Sequence, residues 1–283
     1  MNTILSPQAL TNKRVIKPKR GLVAIDFAEL WRYRELFVFL TWRNIIVRYK
    51  QAAVGIVWVL VRPIMAVIVS TVIFGKLAKL PSDGLPYPLL VFTALLPWQF
   101  FASSLTAASS SVVAEQGMVT KIYFPRLIIP ASAILASMVD LLISFVVFIG
   151  LMIWYNMVPT LAVLWLPCFF LLAFFASCGI SMWSSALNVK YRDVRAIVPY
   201  MLQFGFYISP VAYTSSIVPE KWRLLYSLNP MVGVIESFRW ALLGQKVPFN
   251  FPNLILSAAI ILVIFVSGVY YFKRMERTFA DVI

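Results

Sequence analysis

Six apolar runs, each close to the length that crosses a bilayer, govern what this chain can fold into. They cover residues 52–74, 89–113, 127–155, 161–187, 196–213 and 251–272. A helix needs about 20 such residues to traverse roughly 30 Å of hydrocarbon. Hydrophobic residues make up 61% of the 283 and charged residues only 13%, against about a quarter charged in soluble proteins. The expected class is an all-α polytopic membrane protein with six transmembrane helices, an N-terminal amphipathic interface helix, and two short re-entrant helices before the last span.

The basic residues orient that frame, because short Lys- and Arg-rich loops stay on the cytoplasmic side. Ten of the 25 Lys and Arg residues precede Gln51. Lys121 and Arg126 lie in the second connection, Lys190, Arg192 and Arg195 in the fourth, and Lys273, Arg274 and Arg277 in the tail. The other side receives only Lys76, Lys79, Lys221, Arg223, Arg239 and Lys246. Both termini are therefore expected in the cytoplasm. The net charge of +14 follows topology and calls for no nucleic acid. Residues 1–27 read as a basic cytoplasmic tail and 273–283 as a second tail, around a membrane domain over 52–272. No signal-peptide pattern precedes the first apolar run.

Residues 28–51 read as the interface helix. Trp31, Val38, Trp42, Ile45 and Tyr49 fall in one stripe at helical spacing, with Arg32, Glu35, Arg43 and Lys50 on another face. Trp and Tyr favour the headgroup layer, and each Lys or Arg gains about 1 kcal/mol near anionic lipid.

Catalytic equipment is missing. The chain has no GxxxxGK[ST] phosphate loop, no dinucleotide fingerprint and no nucleophile paired with a base. With no His, and with Cys168 and Cys178 both in the fourth run, neither a zinc site nor a disulfide framework has support, and two buried structural thiols are expected. Asp140 is the one carboxylate deep in an expected span, and Arg62 is the cation at comparable depth. An unpaired charge there costs about 2.5–3.5 kcal/mol on insertion scales. The alternatives are an ion pair between the two, or separate contacts with carbonyls or a wet cavity.

The connection from Glu115 to Pro130 opens polar and suits a short helix before its prolines start the next span. It serves either as a docking knob or as a plain connector. Outside, residues 219–243 suit two short helices. Met231, Val234, Ile235, Phe238, Ala241 and Leu242 form an apolar stripe that Asn229-Pro230 starts and Gly244 ends. Tyr200, Phe204 and Tyr207 form an i, i+4, i+7 aromatic stripe on the fifth run. Prolines at Pro63, Pro97, Pro167, Pro199 and Pro210 permit kinks in the spans.

Several of these pieces carry a resemblance. Arg48-Tyr49-Lys50-Gln51 precedes Gly55, Trp58 and Pro63, followed by Leu96-Pro97-Trp98 with Phe100, then Lys121 with Phe124-Pro125-Arg126 and Pro130. Asn188-Val189 with Tyr191-Arg192-Asp193-Val194, Ser209-Pro210-Val211 and Leu228-Asn229-Pro230 complete the series. In that order, on a six-span frame, residues 28–283 resemble the membrane subunit of ATP-binding-cassette exporters of polysaccharide, the family that exports O-antigen, capsule and teichoic acid.

The resemblance implies a permease rather than an enzyme, with ATP and magnesium on a separate ATPase subunit. It implies a homodimer of this chain with two ATPase copies in the inner membrane of a bacterium, exporting an undecaprenyl-pyrophosphate-linked polysaccharide of O-antigen type. It assigns Arg43, Arg48, Lys50, Lys121, Phe124 and Arg126 to the ATPase contact. Trp222, Arg223, Asn229, Pro230 and Arg239 fall to the external gate. Trp58, Trp98, Tyr200, Phe204 and Tyr207 are the expected channel lining, since sugar rings stack on aromatic faces. Rival readings are a related exporter of capsule, teichoic acid or a small amphiphile, a membrane glycosyltransferase, and a secondary transporter. The last two would need acidic metal-binding clusters, or internal repeats with several ionisable groups at mid-depth, and the sequence shows neither.

Overall fold

A computed structural model of the protein describes residues 27–50, 55–82, 84–244 and 249–279, and every regular element among them is helical. The basic tail over residues 1–26, Gln51 and the side chain of Trp58 lie outside the described residues. The interface segment forms α1 (Phe27–Arg32) and α2 (Arg34–Lys50), separated by a turn at Tyr33. The first apolar run forms α3 (Gly55–Ser70), which continues as a π-helical stretch over Thr71–Leu77. Then follow α4 (Tyr87–Ala114), α5 (Gln116–Lys121) and α6 (Ile128–Trp154). A 3-10 turn at Leu161–Trp165 leads into α7 (Leu166–Lys190), followed by α8 (Val194–Ile208). Outside the long helices stand α9 (Glu220–Ser227) and α10 (Pro230–Leu243), before α11 (Phe251–Glu276).

Local chemistry sets these boundaries. Asn229 caps α10 by accepting from the Met231 N–H at 3.0 Å, with Pro230 in the first turn, and Asn250 caps α11 through the Asn253 N–H. Gly244 closes α10 at φ +73°, a backbone region that costs glycine nothing. Lys273 and Arg274 occupy the last turn of α11, where a cation meets the negative end of the helix dipole. The short polar helix expected after Glu115 is α5.

Among the described residues five helices are long and apolar enough to cross a membrane: α3 with its π-helical extension, α4, α6, α7 with the preceding 3-10 turn, and α11. The fifth expected run, residues 196–213, departs from this pattern. Its helix α8 has 15 residues, short of the roughly 20 that a crossing takes. It stops because Ser209 precedes Pro210 and takes the extended conformation, φ −86° and ψ 151°, that a following proline imposes.

α4 is the axis of the bundle. In its apolar window 78% of residues are buried, against 17–28% in the four other candidate spans. It packs along α6 and α7 and also meets α8 and α10. Phe92 near the head of α4 meets Phe148 near the tail of α6, so those two helices run antiparallel. The Asn188 carboxamide at the end of α7 donates to the Ser109 carbonyl late in α4 at 2.9 Å, so α7 runs with α4. α11 lies along α7, with Phe265 on Phe175 and Tyr271 stacked on Trp183. The two backbones touch: a Cβ on Gly268 would lie 2.2 Å from the Gly179 carbonyl oxygen. Small residues at such crossings let dispersion act between backbones in lipid, where no hydrophobic force separates helix from tail.

Candidate functional site

The chemistry-bearing side chains gather in two places, the α2/α5 end of the bundle and the end that carries α9 and α10. Between them runs the outer face of α8.

At the first end, α2 does more than rest on a surface. Leu40 is buried, Asn44 donates to the Ser132 hydroxyl at 3.3 Å, and Arg48 reaches Asp140 with Nη1–Oδ2 at 2.5 Å. These partners advance together along both helices, so α2 runs parallel to the first half of α6. Tyr49 donates its hydroxyl to the other Asp140 oxygen. Burial first, and then the Asp140 carboxylate, push the Tyr49 phenol well above its usual value, which keeps it a neutral donor. Arg43 forks onto Glu115, between α4 and α5, with Nη1–Oε2 at 3.2 Å and a second bond from Nη2 to Oε1. The sequence left open which face of this helix turns inward. The basic residues Arg43 and Arg48 turn into the bundle, where two carboxylates need counter-ions, while Trp31, Val38 and Trp42 are exposed.

The segment after α5 is clasped from two sides. Tyr33 donates to the Tyr123 carbonyl and Tyr123 to the Glu29 carboxylate, both at 3.3 Å. On the other side the Arg126 N–H donates to Glu276 Oε1 at 2.7 Å, and the Arg126 guanidinium donates to the Glu276 carbonyl. Lys273 pairs with the Glu276 carboxylate at 2.8 Å. Of the six residues assigned by resemblance to an ATPase contact, Lys50 and Lys121 are exposed. Arg43, Arg48 and Arg126 are committed to internal partners, and Phe124 is buried. Ile122 and Tyr123 are exposed beside Lys121.

At the other end Arg239 is 3% exposed and donates to the carbonyls of Leu90, Tyr213 and Val211 at 3.3, 2.9 and 3.1 Å. Tyr87 donates to the Ala212 carbonyl and Asn229 to the Ser209 hydroxyl. Together these side chains satisfy the non-helical backbone that follows α8, the condition for irregular chain at membrane depth. Trp222 and Arg223 are exposed on α9, with Arg223 beside Glu220 at 3.8 Å. Pro230 opens α10.

Tyr200, Phe204 and Tyr207 are 65%, 67% and 58% exposed on one face of α8. Trp98 is not part of that face. It is buried behind α8 against Phe101 and Phe206, and a Cβ on Gly205 would meet its ring at 2.9 Å. Arg62 is exposed on α3 and has no ion-pair partner among the described residues, because Asp140 is held by Arg48. The expected thiol burial holds for Cys178, whereas Cys168 is exposed near the start of α7. Among the described residues no group of His, Cys, Asp and Glu could hold a metal ion.

The residues that sequence reasoning passed over are Glu115 and Glu276, the internal partners of arginines. Their signal was scarcity: with 11 acids against 25 bases, each carboxylate near a basic segment is a probable clasp rather than decoration.

The described residues thus form a bundle of apolar helices with polar clasps at both ends. The chain belongs to the ABC-2 type transporter family, whose pattern it matches over residues 35–243. It is 29% identical over 250 residues to an O-antigen export system permease protein of Klebsiella pneumoniae, covering 88% of this chain and 95% of that one. A protein of the same description from Myxococcus xanthus is 27% identical, covering 88% of this chain and 96% of its own length. The polysialic acid transport protein of Escherichia coli is 22% identical over 83% of this chain and 91% of that relative. The chain is thus a permease component of an ATP-binding-cassette transporter and not an enzyme, and the family implies an ATP-binding partner.

Proposed function

We propose that this chain forms the transmembrane channel for ATP-driven export of an undecaprenyl-pyrophosphate-linked, O-antigen-type polysaccharide across a bacterial inner membrane. The observation that carries the reading is the exposed aromatic face of α8. Tyr200, Phe204 and Tyr207 are each more than half exposed on one face of α8 among the described residues. Sugar rings offer C–H faces to aromatic rings while their hydroxyls bond to water and polar groups. Such a wall holds a polymer without fixing its register.

Two copies of the chain face one another across that wall. Large exposed apolar residues on α3, among them Met65, Val69 and Val72, support a lipid- or partner-covered surface. α8 and the non-helical segment after it make the fifth of six crossings, and α9 and α10 stand over the exit with Trp222 and Arg223 on the outside. The basic segments orient both termini to the cytoplasm, where Lys50, Lys121, Ile122 and Tyr123 meet the ATPase that hydrolyses ATP with magnesium. The similarity to a polysialic acid transport protein favours a capsule-type polymer as the second reading.

Alanine at Tyr200, Phe204 and Tyr207 together is expected to lower surface polymer strongly while membrane levels of the protein stay unchanged. Wild-type surface polymer in that triple variant removes α8 from the channel. In a strain lacking the chain, lipid-linked polymer of O-antigen or of capsule composition should accumulate in the cytoplasm, and its sugar analysis separates the two readings.

A further inference from the structure

A cavity of about 640 Å³ opens between α2, the last turns of α4 and the first turns of α6. No step of the export reading uses it. Its volume falls within the range of about 300–1,000 Å³ typical of small-molecule sites. Its polar lining is Arg43, Asn44, Arg48, Ser110, Ser111 and Ser132. Leu40, Val47, Ala107, Ile129 and Ala133 add apolar lining from the same three helices. The α4 residues lie within two turns of its end at Ala114, and the α6 residues within two turns of its start at Ile128. At 1.5 Å per residue that is about 10 Å from the ends of the spans, where hydrocarbon gives way to headgroups.

The donors and acceptors left over on its polar lining specify a ligand. Arg43 is paired with Glu115 and Arg48 with Asp140, so the two guanidinium charges are compensated and what they still offer is hydrogen-bonding capacity. Arg43 spends its two terminal nitrogens on Glu115, and Arg48 spends its own on Asp140 and Ser137. A guanidinium has five N–H donors, so both arginines keep donors for an anion, in the fork geometry that suits phosphate. Ser110 and Ser111 give their protons to carbonyls of their own helix, which leaves their oxygens as acceptors for a hydroxyl. We propose that this cavity binds the phosphodiester headgroup of a hydroxyl-bearing membrane lipid, with the first acyl carbons against its apolar side chains. A choline head offers no hydroxyl to the Ser110 and Ser111 oxygens, so the site discriminates between lipids. The inference requires a bilayer and does not rest on the export reading.

The test is native mass spectrometry of the full-length chain, released from detergent containing equal phosphatidylglycerol and phosphatidylcholine of identical acyl chains. One phosphatidylglycerol per chain should be retained over phosphatidylcholine by up to about tenfold, the factor expected from one well-made hydroxyl hydrogen bond that choline cannot make. Filling the cavity with Ser111→Trp, or more gently with Ala107→Leu, should erase that preference in whichever variant keeps the wild-type melting midpoint. A third arm adds a polyprenyl-phosphate sugar. Its displacement of phosphatidylglycerol assigns the same phosphate site to the substrate lipid as well, and no displacement assigns it to bulk phospholipid alone. Equal retention of the two phospholipids, or a preference that survives both fillings, overturns the proposal.

Discussion

Arg239 shows what one side chain decides at the outer end of the molecule. Its buried guanidinium serves the carbonyls of Leu90, Val211 and Tyr213, and each carbonyl stranded by truncation costs about 1–3 kcal/mol. Arg239→Ala is therefore expected to lower the melting midpoint of the detergent-solubilised protein sharply. Arg239→Lys should recover only part of the loss, because an ammonium lacks the planar fork that reaches three acceptors. Asp140 makes the converse case at the α2 end. Asp140→Leu leaves the Arg48 cation without its carboxylate, at a cost of about 3–5 kcal/mol, whereas removing both partners of such a pair is often close to neutral. The double variant Arg48→Met with Asp140→Leu should thus melt nearer to wild type than Asp140→Leu alone. Sequence reading singled out Asp140 and Arg62 as mid-depth charges that need partners, paired with each other or held separately. Asp140 goes instead to Arg48, because depth along a span is legible from residue number whereas the lateral neighbour of a helix face is not.

Among the elements, the crossing of α7 and α11 depends on two glycines. A Cβ at Gly179 would come within 2.7 Å of the Phe265 backbone nitrogen, and one at Gly268 within 2.2 Å of the Gly179 carbonyl. Gly268→Ala must push the helices apart, and a melting midpoint lower by several degrees is expected. Gly150 on α6 is the control, since an added Cβ there meets nothing within 4 Å. Gly150→Ala should leave the midpoint unchanged or raise it, as alanine favours a helix interior by up to about 1 kcal/mol. The element boundaries themselves were largely legible. Apolar length, Asn229-Pro230 and Gly244 are local signals, and local signals end helices; Ser209-Pro210 is another, although the expected run was carried through it to residue 213. The amphipathic helix was legible as a helix, but which side of it turns inward was not. Carboxylates 72 and 92 residues away claim the side with Arg43 and Arg48.

For the whole molecule, the exposed knob of Lys121, Ile122 and Tyr123 is held between Glu29 on α1 and Glu276 at the end of α11. The last membrane helix therefore positions a surface that sequence order places in the middle of the chain. Glu276→Ala should leave insertion intact and lower substrate-stimulated ATP hydrolysis by the copurified ATPase. A rate equal to wild type would make the Arg126–Glu276 contact a matter of stability alone.

By itself the sequence determined the helical class, the membrane setting, the absence of catalytic machinery and the ends of most helices, because hydrocarbon thickness and backbone hydrogen bonding act on contiguous residues. Only the tertiary structure decided which basic residues turn inward, that Trp98 stands behind α8 rather than on its aromatic face, and that a cavity separates α2 from α4 and α6. Those outcomes depend on which helix faces meet, and a charge or an aromatic ring is satisfied by whatever partner the packing brings within reach, however distant along the chain.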